Sequence, residues 1–502
     1  MCGVLGIFGN DYVAQDVYDA LITLQHRGQD ATGMITFDGK QFHTKKGLGL
    51  VKDVFHTRDM LRLKGNAGVG HTRYSTVGGG GAEDAQPFYT KVFFGVMMAH
   101  NGNLFNVHDL KKELWEKDHR FVNSSCDVEV ILEVFTKALT KQRINKDLKF
   151  DHLCKATKSV FKRAQGAYSV VAYIAKHGMM AFRDPHGIRP LIMGKRKTGL
   201  LDEYIFASES VTLDVLGFEF VRDVKAGELI WIDEERKVHS KVLSNKKHTP
   251  CIFEHVYFAR PDSMLDGISV HKARMRMGEK LADKIKKSGL KIDVVMPVPD
   301  SSRTAAIALA AKLKLPYREG LIKNRYIGRT FIMPGQEIRK KSIHYKLNAV
   351  KLEFEGKNVL LVDDSIVRGN TSKAIVQMCK KAGAKAIYFA SYSPPVKYPC
   401  LYGVDIPTSQ ELIAYTHTHD EIQKFIEADA LFYTDVKDIF DSCKKGNPKI
   451  KSFCMACFEG KYPTGDVTPE VLKKVAEERL SDKSCAKIED DDINMGGQMS
   501  LA

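Results

Sequence analysis

The sequence predicts a two-domain protein, α+β in its first half and α/β in its second, and three observations carry that expectation. Residues 2–240 break into short apolar runs, such as 92–99, 168–174 and 191–194, punctuated by Gly and Asn, the texture of strands with some helices between them. From residue 251 apolar strands alternate with helical stretches, the pattern of a parallel sheet with crossover helices. Between the two lies 244–250 (SNKKHTP), polar and closed by a proline, which reads as a boundary.

In the second half the expected order is a strand at 292–298, a helix over 304–313, a strand at 358–362, a helix over 371–382 and a strand at 386–391. The second domain runs over 251–470 and includes a C-terminal helical region. The end, 481–502, is acidic and then rich in Gly, Ser and Met with no apolar period, so it reads as a frayed tail. There is no internal repeat, and the only low-complexity run is Gly78 to Gly81.

A chain of 502 residues has room for two to four domains with large cores, and 44% apolar with 27% charged residues excludes wholesale disorder and fibrous repeats. Lys plus Arg exceed Asp plus Glu by 76 − 61 = 15. The basic residues are scattered, as in Lys111 with Lys112, Lys286 with Lys287 and Lys444 with Lys445. That reads as solvated surface, so no nucleic-acid partner is expected. No stretch nears the roughly 18 apolar residues that span a bilayer, and Met1 is followed by Cys-Gly rather than a charged leader. The expectation is a cytoplasmic protein with no membrane partner. Ten cysteines are too sparse for a disulfide scaffold, which turns attention to catalysis and metal binding.

Cys2 would become the first residue once Met1 is removed, and removal of Met1 alone is expected to suffice. An α-amine titrating near about 8 could then draw the proton from a thiol titrating near about 8.5, with no separate histidine. A cysteine at position 2 means little by itself. Four segments change that: Cys2-Gly-Val-Leu-Gly-Ile7, Leu24-Gln-His-Arg-Gly-Gln-Asp30, His71-Thr-Arg-Tyr-Ser-Thr76 and Ala99-His-Asn-Gly-Asn-Leu104. Together they resemble the glutamine amidotransferases of the N-terminal-nucleophile hydrolase class, over most of residues 2–240. The resemblance implies an αββα sandwich in which Cys2 attacks the glutamine side-chain amide and releases ammonia. It further implies an oxyanion hole from the Asn101 side chain and the Gly102 backbone N–H, with Arg73 on the α-carboxylate and Asp127 on the α-amino group. On the residues alone, Asn101-Gly102 signals a hairpin turn. Cys126, beside Asp127 where the class usually has Ser or Thr, reads as a packed thiol.

Residues 359–372 read Val-Leu-Leu-Val-Asp-Asp-Ser-Ile-Val-Arg-Gly-Asn-Thr-Ser: a buried strand, two carboxylates at its C-terminal end, and a glycine-containing loop opening a helix. Ligands of parallel sheets bind at that strand end, a helix N-terminus offers free N–H groups to phosphate, and adjacent carboxylates suit ribose hydroxyls or hydrated Mg²⁺. Neither a Walker loop nor a dinucleotide fingerprint is present. The stretch resembles the phosphoribosyl pyrophosphate (PRPP) motif of type I phosphoribosyltransferases. By that resemblance Asp363 and Asp364 meet the ribose and Mg²⁺, and Arg368, Gly369, Asn370, Thr371 and Ser372 cradle the 5′-phosphate. Ser301 matches a further Mg²⁺ position. Residues 323–336, with Lys323 and Arg325, resemble the loop that closes over pyrophosphate.

The two resemblances in this order are those of the amidophosphoribosyltransferase family. They imply ammonia passing internally from glutamine to C1 of PRPP, 5-phosphoribosylamine as product, and purine synthesis as setting. They also imply loop closure around Arg325 that forms a channel and raises glutaminase activity, a homotetramer, and inhibition by purine nucleotides. Cys251, Cys400, Cys454 and Cys457 could hold a metal or be unrelated buried thiols. Their contexts resemble the iron-sulfur branch of the family, which implies a [4Fe–4S] cluster on these four, with Cys443 as the alternative ligand should Cys400 fail. Members with the cluster often carry a short propeptide that this sequence lacks before Cys2. Two other readings compete: an amidotransferase feeding a sugar phosphate or aspartate, opposed by residues 359–372, and a non-catalytic PRPP-sensing regulator, opposed by Cys2 with Asn101-Gly102.

Overall fold

The computed structural model describes residues 1–74, 81–92, 94–144, 147–199, 201–324, 346–406 and 408–478. The chain forms two compact units, one of Met1–Pro250 with Leu401–Asp405 and the chain from Tyr462 on, the other of Cys251–Cys400 with Ile406–Lys461. The linker at 244–250 therefore closes the first long segment. Leu401–Asp405 and residues 462–470, read from the sequence as part of the second domain, group with the first unit. The expected tail at 481–502 lies outside the described residues.

The first unit is built on two antiparallel sheets. In the seven-stranded sheet β1 (Gly3–Phe8) lies between Asp202–Ala207 and β2 (Ala67–Arg73). In the six-stranded sheet β3 (Val96–Leu104) pairs with β4 (Gly166–Ile174). Side chains alternate along each strand. Val4 and Phe8 of β1 join Val171 and Tyr173 of β4 in one core between the sheets. Leu5 and Ile7 face the other way, onto Val17 and Leu21 of α1 (Ala14–Thr23). Val170, Ala172 and Ile174 pack outward on Val128, Ile131 and Phe135 of α2 (Asp127–Thr140), beside α3 (Phe150–Arg163). The layers are helix, sheet, sheet, helix, the αββα sandwich expected. Strands covered on both faces lose their polar alternation, which is why they read as unbroken apolar runs. Gly6 sits where the other sheet leaves no room for a side chain, since a Cβ there would stand 2.4 Å from Val171 Cγ1.

One local expectation is corrected here. Asn101-Gly102 is not a hairpin turn but the interior of β3, opposite Ser169 and Tyr168. The turn into β3 falls earlier, at Phe94 and Gly95, both at positive φ. Gly102 is required by the neighbouring strand: a Cβ would lie 2.0 Å from the Ala167 carbonyl oxygen. Tertiary approach, not turn geometry, selects the glycine.

The second unit holds a four-stranded parallel sheet in the order β5 (Val294–Pro297), β6 (Asn358–Asp363), β7 (Ala386–Ser391), β8 (Ala430–Tyr433). Its helices include α4 (Val270–Lys287), α5 (Arg303–Leu313) and α6 (Asn370–Lys381). The expected helices at 304–313 and 371–382 start one residue earlier, and the strand at 386–391 has the bounds read from the sequence. Val359 and Leu361 of β6 pack with Ile375, Val376 and Cys379 of α6 in the core of this unit. Because β6 is an inner strand, its C-terminal residue Asp363 stands at the middle of the sheet edge where ligands of such sheets bind. Among the described residues no helix is long and apolar enough to cross a membrane.

Candidate active site

In the first unit the start of β1 carries Cys2, 8% exposed. Met1 is present, so the nitrogen of Cys2 is a peptide N–H standing where the α-amine of a chain beginning at Cys2 would be. That N–H donates to Asn101 Oδ1 at 3.3 Å. The Cys2 sulfur accepts from the Tyr74 backbone N–H at 3.5 Å, and the Cys2 carbonyl accepts from Arg27 Nε at 3.0 Å. Burial pushes the Met1 amine down to about 5, opposed by the Cys2 thiolate and assisted by the guanidiniums of Arg27 and Arg189. The Met1 amine is therefore held as free base at neutral pH.

Asn101 is fully buried, and its Nδ2 has no hydrogen-bond partner. A buried amide donor left unpaired costs on the order of 1–3 kcal/mol, and it is tolerated where an acceptor arrives during reaction. A cavity at this end of β1 is lined by Cys2, Arg73, Gly102 and Asp127 together with Tyr74, Gln86 and Cys126. The structure thus brings together Cys2, Asn101, Gly102, Arg73 and Asp127.

Both charged residues of the cavity are supported from behind. Arg73 Nη2 lies 3.3 Å from Asp84 Oδ2. Burial opposes the charge on Arg73, but Cys126, Asp84, Cys2 and Asp127 together raise its pKa. Asp127 Oδ2 accepts from the Leu104 N–H at 3.0 Å and lies 3.2 Å from His100 Nε2. Burial opposes ionisation of Asp127, yet His100 and that N–H hold its carboxyl below the usual range. Burial drives the Cys126 thiol far up, with the Asp127 charge adding to it. Cys126 therefore stays a neutral packed thiol in the cavity that Cys2 lines.

Sequence reasoning missed the residues that fix these groups. Arg27, fully buried, pairs with Glu209, and Glu209 also meets His26 Nε2 at 2.7 Å. Gln86 accepts the His100 N–H at 2.8 Å. Arg27 lies inside the quoted Leu24–Asp30 segment and was visible there; Glu209, 182 residues away, was not. Gly28 of the same segment leaves no room for a Cβ, which would sit 2.5 Å from the Arg73 carbonyl oxygen.

In the second unit Asp363 and Asp364 close β6, each 8% exposed. Ser301 donates to Asp364 Oδ2 at 2.5 Å, Ser302 to Asp363 Oδ1 at 3.3 Å and Ser365 to Asp364 Oδ1 at 2.6 Å. Burial raises both carboxyls, and for Asp363 the charge of Asp364 raises it further. Two buried carboxylates side by side call for a cation or hydroxyl donors, so the pair with Ser301 fits hydrated Mg²⁺ and a ribose.

Gly369 caps α6 with φ +78°, and Asn370, Thr371 and Ser372 form its first turn. Arg368 pairs at the surface with Glu411 at 2.8 Å. Lys323 reaches Asp300 at 3.0 Å from a short strand, Leu321–Lys323, paired with Leu347–Ala349. Arg325 and the rest of the expected closing loop lie outside the described residues.

Backbone contacts bring the segments that carry the four cysteines together in this unit. Cys251 and Cys454 form a parallel backbone bridge, and the N–H groups of Lys397 and Tyr398 donate to the Cys457 carbonyl at 2.9 and 3.0 Å, just before Cys400 in the chain. All four are buried, and burial followed by the charges of Cys400, Cys251 and Cys454 raises the Cys457 thiol. Cys443 is buried elsewhere, with Arg276 as its charged neighbour. Among the described residues no three His, Cys, Asp or Glu side chains stand close enough to share one metal ion. Four buried thiols are a donor set of the kind that holds either a [4Fe–4S] cluster or a structural Zn²⁺.

A nucleophile-bearing αββα sandwich and a parallel sheet ending in paired carboxylates define a glutamine amidotransferase joined to a phosphoribosyltransferase. Residues 71–215 match the family model of a glutamine amidotransferase domain and residues 265–395 that of a phosphoribosyl transferase domain. The chain is 52% identical to the amidophosphoribosyltransferase of Pseudomonas aeruginosa, over 95% of this chain and 96% of that one. It is 50% identical to the Escherichia coli enzyme of the same name, over 93% of each. A solved Bacillus subtilis glutamine PRPP amidotransferase, in complex with ADP and GMP, matches at 39% identity with a TM-score of 0.82, over 93% of this chain and 98% of that one. The chain belongs to the amidophosphoribosyltransferase family.

Proposed function

We propose that Cys2 hydrolyses glutamine in the first unit and that the ammonia released displaces pyrophosphate from PRPP at the end of β6. The overall reaction, glutamine-dependent amidotransfer to PRPP in purine biosynthesis, follows from family membership. The single observation that carries the residue roles is the unpaired Asn101 amide beside Cys2.

With Met1 removed, the freed amine takes the thiol proton, and sulfur attacks the amide carbon. Negative charge develops on the carbonyl oxygen, and Asn101 Nδ2 with the Gly102 N–H receives it. The proton leaves with ammonia, a glutamyl thioester remains, and water cleaves it to glutamate. Arg73 and Asp127 hold the carboxylate and ammonium of the substrate. In the second unit Asp363 and Asp364 bind the ribose hydroxyls, the loop from Arg368 to Ser372 binds the 5′-phosphate, and Lys323 and Arg325 are assigned to pyrophosphate by likeness to the family. Mg²⁺, held by Asp363, Asp364 and Ser301, would neutralise charge on the departing pyrophosphate.

We further assign Cys251, Cys400, Cys454 and Cys457 to a structural [4Fe–4S] cluster tying together three separate stretches of the second unit. Inhibition by purine nucleotides is supported by the ADP and GMP complex of the Bacillus subtilis relative. The homotetramer and a cytoplasmic setting rest on likeness to the family. The deciding experiment is glutamate release from glutamine by anaerobically purified protein, with and without Mg²⁺ and PRPP. Strong stimulation by PRPP is expected; indifference to PRPP would separate the two activities and overturn the transfer.

A further inference from the structure

We infer that Asp84 is a positioning residue that fixes the spacing of the two charged groups gripping the head of the substrate amino acid. Asp84 is 1% exposed and lies in a short turn, Ala82–Asp84, away from both anchors in sequence. Its carboxylate meets Arg73 on one side and Ser125 on the other. Oδ2 faces Arg73 Nη2 at 3.3 Å. Oδ1 accepts the Ser125 backbone N–H at 2.9 Å, and the Ser125 hydroxyl donates to Oδ2. Ser125 is two residues before Asp127, where α2 begins. One buried carboxylate thus ties the strand end carrying Arg73 to the segment delivering Asp127.

The chemistry explains why a carboxylate is needed. A guanidinium that met a carboxylate substrate with no internal partner would be free to swing along its planar fork. A second, fixed carboxylate on one edge holds the fork in one orientation. Ser125 orients that carboxylate, so the ammonium anchor moves only if the carboxylate anchor moves with it. A pair locked at fixed spacing selects a free α-amino acid, in which ammonium and carboxylate flank one carbon, over glutamine whose head is amidated or acylated.

This inference rests on Arg73 and Asp127 as the head-group anchors, and the test separates the two. Glutamate release from glutamine, and hydrolysis of L-glutaminamide and N-acetyl-L-glutamine, are compared in the full-length protein and in Asp84→Asn, Asp84→Glu, Arg73→Gln and the Arg73→Gln/Asp84→Asn double variant. Asp84→Asn is expected to raise the glutamine KM about tenfold or more with kcat within about twofold, and to shrink discrimination against both analogues. Asp84→Glu should restore part of that discrimination, and in the Arg73→Gln background the second substitution should add less than about twofold. A glutamine KM unchanged in Asp84→Asn, or a fall in kcat with discrimination intact, overturns the positioning role. If Arg73→Gln itself leaves KM unchanged, the anchor assignment fails and the role of Asp84 falls with it.

Discussion

The Cys2 backbone N–H donates to Oδ1 of Asn101 at 3.3 Å, which turns the other end of that amide, Nδ2, into a buried donor with nothing to bind. The nitrogen that would serve as base and the donor that would receive the oxyanion are therefore set by the same side chain. Asn101→Ala is expected to lower kcat for glutamine by about 10²–10³, as loss of one oxyanion donor does elsewhere. Reaction with free ammonia should be untouched. Steady-state rates with the two nitrogen sources read this directly, and a loss below tenfold with glutamine would place the oxyanion on other donors.

Much of this was legible in the sequence, for reasons that differ by region. The second unit reads well because β6 and β7 are short apolar strands buried on both faces, and α6 begins at a glycine loop. Cys2, Arg73 and Asn101 each sit in a dense local motif, whereas Asp127 was reached only through the family resemblance. Asp84 and Glu209 were not found: their partners are 11 and 182 residues away, and only folding makes them buried pairs. Asn101-Gly102 misled because its local preference for turns is real, whereas the close approach of Ala167 that demands the glycine is tertiary.

Asp363 and Asp364 share a buried strand end, and Asp363→Asn removes one charge while keeping size. PRPP-dependent product should fall at least about 100-fold with either glutamine or ammonia, since the loss is at the acceptor. Glutamate release without PRPP should be unaffected, and its stimulation by PRPP lost. Removing one of two repelling carboxylates should leave the ligand-free protein no less stable, which a Tm comparison checks. A defect confined to glutamine would move the PRPP site elsewhere.

Cys457 has the three other cysteines as charged neighbours, whereas Cys443 has Arg276. Iron and acid-labile sulfide are expected together in anaerobically purified protein, with a visible absorption band. Cys457→Ala should abolish both, and Cys443→Ala neither. Protein that returns no iron or sulfide, or a Cys457→Ala variant that keeps them, would refute the cluster.

Acid sensitivity should be traceable to His255. The residue is 1% exposed, its ring packs edge-on to Phe453 beside Cys454, and its Nδ1 has no hydrogen-bond partner. Burial lowers its pKa from 6.5 to about 4, with Arg274 assisting and Asp266 and Glu254 opposing. The folded state therefore binds the proton less readily than the unfolded chain. Its contribution is fully present above pH 6.5 and is lost as pH falls through 4, because the unfolded state protonates first. The span corresponds to a loss on the order of 3 kcal/mol. His255→Gln cannot take up that proton, so its Tm should fall less than the parent's between pH 7.5 and pH 5. Parallel Tm curves for the two proteins would show that His255 takes up its proton equally in the folded and unfolded states and that the acid response arises elsewhere.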